Sequence, residues 1–241
     1  MRRLFEHSLA LRQLLAAEYR KPTAVVLIAT FLSVSFKIYG SKSFYFKSLS
    51  AGSVIGGDAR FTAALFTFAS AFFLLGFVPL LVVKLIFREP LSAYGVGIGD
   101  FGFGCKAVAV IAPIMILLAY SSSFLPEFRA EYPLNPLAGE STGQFLQHAV
   151  FYLFFYLGWE FCFRGFVQFG LRDAMGDWNA ILVQTGLSCL LHIGKPSGEI
   201  YGSIFGGLVW GVVAFRSRSL LAPILTHWLL GLSLDFFIVT S

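Results

Sequence analysis

Charge is what this chain has least of. Only 13% of its 241 residues are Asp, Glu, Lys or Arg, 57% are hydrophobic, and the mean hydropathy is +0.76. Soluble domains carry about a quarter charged residues, so a sizeable soluble domain is excluded. Cysteine is scarce as well. Cys105, Cys162 and Cys189 form no CxxC pair and no loop-spaced framework, which removes a disulfide scaffold and a zinc knuckle and leaves them as small apolar fillers. No arginine-rich patch with interleaved aromatics occurs, so the formal charge of +5 does not imply nucleic-acid binding. Met1 to Pro22 lacks the compact apolar core and cleavage site of a signal peptide. This basic stretch is expected to form an amphipathic helix on the inner membrane face. HExxH and GxSG motifs are absent. Gly97-Ile98-Gly99-Asp100 matches GxGD only superficially, because it falls in a loop without a partner aspartate at mid-membrane depth.

What the chain has in quantity is long apolar runs. A spanning helix needs about 20 mainly apolar residues. Candidates are Thr23–Ile38, Phe61–Phe87, Cys105–Phe124, Gln144–Leu171, Trp178–His192, Ile200–Phe215 and Leu220–Val239. The fold class is therefore all-α, a polytopic membrane bundle of about seven helices. It divides into the basic stretch 1–22, N-terminal helices over 23–140, and a core over 141–241. Basic residues crowd the loops on the N-terminal side, so the N-terminus is expected inside. Gly202, Gly206, Gly207 and Gly211 give two overlapping small-xxx-small patterns, expected to seat a neighbouring helix.

Against this background a few ionisable residues stand out. Glu160 and Arg164 lie one turn apart inside an apolar helix, and His192 and His227 sit in two further apolar segments. Intramembrane charges face a bundle interior or a cavity and mark working sites. Counted at 1.5 Å per residue from the inner helix ends, Arg164, His227, Glu160 and His192 lie roughly 10, 12, 16 and 21 Å deep. The four are expected in one buried layer, slightly cytoplasmic of the midplane. Glu160 and Arg164 share a face and can pair, either as a structural ion pair or as part of a site. Glu199 follows Pro196 in a first helical turn, as a favoured acid there or as a second carboxylate reaching the site. Asp235 lies two turns beyond His227, on the same face or near the outer interface. His148 is expected at the interface.

Three stretches carry a resemblance: Trp159-Glu160-Phe-Cys-Phe-Arg164-Gly165, Ser188-Cys-Leu-Leu-His192 and His227-Trp-Leu-Leu-Gly231. In order and spacing they resemble the CAAX protease and bacteriocin-processing (CPBP, or Abi) family of membrane proteins, which includes the Ras-converting CAAX endopeptidases. That family shows Glu-Glu-x-x-x-Arg, Phe-x-x-x-His and His-x-x-x-Asn or Asp. The stretch from Pro90 to Gly95 is also similar to a loop of such proteins. Here Trp159 stands in place of the first glutamate, which in the family is thought to activate water. Ser188 replaces Phe, and Gly231 replaces the polar Asn or Asp. A bacterial-type subgroup is similar in carrying Trp-Glu-x-x-x-Arg-Gly followed by His-x-x-Lys-Pro-x-x-Glu.

The resemblance implies a metal-independent, glutamate-type intramembrane endopeptidase acting on a membrane-anchored or hydrophobic polypeptide. Glu160 and His192 would activate water, His227 would serve the oxyanion, Arg164 would position Glu160, and Glu199 and Asp235 would be accessories. A zinc version is open, since one Glu and two His can ligate Zn²⁺. So is a catalytically inactive scaffold or immunity protein that binds a peptide or lipid in the same polar pocket. A transporter is the remaining alternative.

Overall fold

The computed structural model describes residues 17–50 and 58–241, with side chains from 19 onward. The expected amphipathic helix falls mostly outside that range. Only its end is described, already part of α1 (Ala17–Tyr39). A short α2 (Lys42–Ser48) follows, then α3 (Ala59–Phe87), α4 (Phe101–Ser122) and α5 (Pro126–Glu131). The chain continues as α6 (Thr142–Glu160), which runs through a π-helical stretch, Phe161–Val167, into α7 (Gln168–Leu191). α8 (Ser197–Ser217) and α9 (Leu221–Thr240) complete it. Among the described residues there is no strand.

Among the described residues six helices are long and apolar enough to cross a membrane, against about seven expected segments. Two of the expected segments form one long helical stretch, Thr142–Leu191, broken at Gly176, whose φ of 78° and ψ of 166° are non-helical. Glycine adopts that conformation because it has no Cβ to clash. The chain reverses there. Leu171 and Ala180 share one buried cluster, while Trp159 and His192 meet at the far end. The returning arm, 177–191, is roughly 22 Å long at 1.5 Å per residue, short of a hydrocarbon core of about 30 Å. The polar loop that follows is thereby drawn in towards the bundle.

Contacts between loops sort the helix ends onto two faces. On one, Lys21 pairs with Glu89 at 2.8 Å, the Tyr94 hydroxyl donates to Glu89, and Arg216 pairs with Asp100 at 3.1 Å. Asp100 also caps α4, its Oδ1 accepting from the Phe103 N–H, which gives the GxGD-like stretch a structural use. On the other face, Lys37 donates to the Leu191 and Ile193 carbonyls and Lys195 pairs with Glu131. Partial burial pushes the Glu89 carboxyl up, but the hydrogen bonds from Lys21 and Tyr94 outweigh that and hold it below its ordinary 4.5.

Small residues let α6 into the centre. A Cβ on Gly158 would lie 2.5 Å from the Ala71 carbonyl oxygen of α3, and one on Gly76 only 3.0 Å from the Gly158 Cα. Of the α8 glycines, Gly207 and Gly211 abut Thr185 and the Gln168, Gln184 and Ile181 side chains, whereas Gly202 meets nothing within 4 Å. Only the second small-xxx-small pattern is a packing face. Buried Cys162 is the filler expected; Cys105 is exposed, and all three thiols are free.

Candidate functional site

Every fourth residue of α6 and its continuation is polar or a tyrosine: His148, Tyr152, Tyr156, Glu160, Arg164 and Gln168. Residues four apart share a helix face, and this face is buried throughout. It meets an α9 row with the same spacing, His227, Gly231 and Asp235. Glu160 pairs with His227, Tyr156 faces Gly231, and His148 pairs with Asp235. The helices run antiparallel; the pairing keeps register from Glu160–His227 to Tyr156–Gly231 and then slips by one turn, Asp235 meeting His148 instead of Tyr152.

Three of the expected residues form one knot. Glu160 Oε1 accepts from Arg164 NH1 at 3.1 Å and from His227 Nδ1 at 2.6 Å. With two donors converging on one oxygen, the His227 proton is on Nδ1 and Nε2 is left as an acceptor. Such tautomers are assigned from the partners. The His227 ring is clamped between Trp210, stacked at 3.9 Å, and Tyr156 at 4.6 Å. The Arg164 guanidinium lies 5.3 Å from the Trp210 ring centre. Trp210 is itself held by its indole N–H, which donates to Thr226 Oγ1 at 2.9 Å. Glu160 Oε2 and Arg164 Nε are buried without a partner among the described residues.

His192 and Glu199 form a second group, beside the first. His192 is the C-cap residue of α7, next to the loop that leads into α8. Its Nδ1 donates to the Ser188 carbonyl at 2.8 Å, which leaves Nε2 as an acceptor facing Glu199 Oε1 at 4.0 Å. Proline at the start of α8 frees the chain from α7 and sets Glu199 in the first turn. There the Tyr132 hydroxyl lies 2.8 Å from both carboxylate oxygens, and Lys195 approaches that hydroxyl at 3.5 Å. The groups adjoin: Trp159, the neighbour of Glu160 in sequence, meets the His192 ring edge-on at 5.2 Å.

Exposure separates the two carboxylates. The Glu160 side chain is 0% exposed and Arg164 2%, whereas Glu199 is 21%, His192 14% and His227 12% exposed. Glu160 is therefore foundation, and the three others are wall.

Trp159 does not enter the knot. It is 4% exposed, stacks on Phe155 at 5.6 Å and meets the His192 ring edge-on at 5.2 Å. Asp235 lies on the same α9 face as His227, one of its two expected places, whereas His148, expected at the interface, is buried. The two are joined at 2.7 Å, more than two turns beyond the knot. Tyr132, Tyr152, Tyr156 and Trp210 were not singled out from the sequence. Among the described residues no three His, Cys, Asp or Glu side chains are gathered closely enough to hold a metal ion.

Residues 141–233 match the family model described as type II CAAX prenyl endopeptidase, Rce1-like. The matched stretch contains both groups and ends before Asp235. No curated protein and no solved structure matches the chain.

Proposed function

Because residues 141–233 belong to the Rce1-like family of type II CAAX prenyl endopeptidases, we propose that the protein is an intramembrane endopeptidase in which Glu199 and His192 activate the attacking water. The single observation that carries this is the pairing of two acceptors at the mouth, His192 Nε2 and the Glu199 carboxylate, 4.0 Å apart and both partly exposed. A water held between them donates one hydrogen to each. As its oxygen attacks the peptide carbonyl, Glu199 takes the proton and then delivers it to the leaving amine. Positioned acid–base groups of this kind contribute about 10²–10⁴-fold.

Glu160 then positions His227 rather than touching substrate. Its carboxylate fixes the ring through Nδ1, and Arg164 fixes the carboxylate. Glu199 takes over the part of the carboxylate lost at Trp159, and the reaction needs no metal. The substrate is a membrane-associated or hydrophobic polypeptide, which reaches the mouth from within the bilayer or its surface.

Cleavage of a hydrophobic peptide library in detergent tests this. Wild type is expected to cleave in the presence of a chelator, and Glu199→Gln and His192→Gln to lose activity. Cleavage that survives Glu199→Gln removes the assignment. Trp159 in place of a carboxylate favours one rival, a non-hydrolytic scaffold. Tight peptide binding without cleavage by wild type would select it.

A further inference from the structure

Tyr156 packs directly on the first group, and the proposed reaction has no use for it so far. Its ring lies against His227 at 4.6 Å. The same ring packs on Tyr152, one turn back along α6, at 4.7 Å. Across from it, α9 presents Gly231, where a methyl group would overlap the Tyr156 hydroxyl outright and also press on its ring carbon at 3.0 Å. α9 has no backbone need for glycine there, because Gly231 is helical and without a positive φ. The lack of a side chain at 231 has one steric consequence. It lets a hydroxyl from α6 stand one turn along α9 from His227.

A tyrosine hydroxyl has one donor and two acceptor sites. The aromatic packing on Phe155 and Tyr152 fixes its direction. His227 offers an acceptor at Nε2, not a donor, in the tautomer its bond to Glu160 imposes. A peptide carbonyl attacked at the mouth develops negative charge on oxygen, and a site of this chemistry needs a donor aimed at that oxygen.

We infer that the Tyr156 hydroxyl is this donor, a catalytic residue stabilising the oxyanion in the room that Gly231 leaves open. The inference rests on the endopeptidase reading above. It assigns to Tyr156 the part that the sequence alone gave to His227.

The experiment uses the full chain in detergent. Tyr156→Phe removes the hydroxyl and keeps the ring packing. Loss of one such donor costs about 10²–10³-fold in kcat, and KM and the thermal midpoint are expected to stay near wild type. A phosphinic peptide, mimicking the tetrahedral intermediate, is expected to bind the variant at least 10-fold more weakly, with the parent peptide unaffected. Gly231→Ala tests the room separately: it should lower the melting temperature in wild type and do so less in the Tyr156→Phe background, where the overlapping oxygen is gone. Unchanged kcat in Tyr156→Phe, in a wild type that cleaves, overturns the Tyr156 assignment alone. A wild type that cleaves nothing and binds phosphinic and parent peptides alike overturns the endopeptidase reading and this inference with it.

Discussion

Replacing each of the two carboxylates by its amide should give opposite signatures in stability. Glu160 and Arg164 are 0% and 2% exposed and 3.1 Å apart. At an effective dielectric near 20 their attraction is about 5 kcal/mol at that 3.1 Å separation, and it offsets a desolvation cost of similar size. Glu160→Gln removes the attraction and leaves the cost. The Arg164 cation is then stranded, with one nitrogen already unpartnered and only the Trp210 ring beside it. Breaking a buried pair in this way costs about 3–5 kcal/mol. In a chain of this length that is a fall of roughly 6–20 °C in the melting temperature.

Glu199→Gln is a different case. The side chain is 21% exposed, and the amide oxygen still accepts from Tyr132, so a loss under about 1 kcal/mol is expected. Both variants should be inactive. The assay is thermal unfolding in detergent by intrinsic fluorescence, run beside peptide cleavage. Arg164→Met added to Glu160→Gln should recover part of the lost stability, since neighbours in one network are not additive. A Glu160→Gln protein melting within about 2 °C of wild type, or a Glu199→Gln protein as unstable as it, would refute the division into foundation and wall.

Two further outcomes follow from the same packing. Trp159→Glu, which restores the family's two adjacent glutamates, should lower both the melting temperature and activity, because it removes a buried indole, at about 3–5 kcal/mol, and puts a charge beside Leu32, Phe36 and Leu75. Higher cleavage by that variant would mean the missing glutamate is still wanted. On the opposite face, Glu89 has its pKa held below 4.5 in the folded state. A depressed pKa stabilises the fold above the unfolded value, and the stability is lost as pH falls through the folded value. Glu89→Gln should therefore flatten the loss of melting temperature below about pH 4.5 and reduce stability at neutral pH; an acid limb identical to wild type would exclude the Lys21–Glu89 clamp as its source.

The helix count and the Glu160–Arg164–His227 knot were legible because both rest on local signals. Length and hydropathy set the spans, and charges inside them are too costly to be incidental. The i,i+4 spacing fixed the shared face. The Tyr156 contribution is one more step of four along the same helix, yet it went unread: among 28 Phe and 9 Tyr, a tyrosine in an apolar run carries no distinguishing mark. Stepping by four in both directions from Glu160 would have found it. His148 differs from its expected interfacial place for a different reason. Counting from helix ends treats depth as exposure, whereas α6 is central and buried along its whole length. Glu199 is open in the sequence between a helix-start acid and a site residue; it sits in the first turn of α8, and on the proposed reading it serves the site as well.

His192 and Glu199 lie at the end of the bundle marked by Lys37 in the last turn of α1, Tyr132 and Lys195, on the opposite side from Lys21, Glu89 and Arg216. Helices that reverse at Gly176 close the bundle on that second side. A substrate whose scissile segment lies there would have to thread the packed centre to be cut. On the endopeptidase reading, the insertion direction of the chain would act as a filter ahead of any pocket. The uneven spread of lysine and arginine, which orients a membrane protein during synthesis, would then also decide which population of polypeptides meets Glu199.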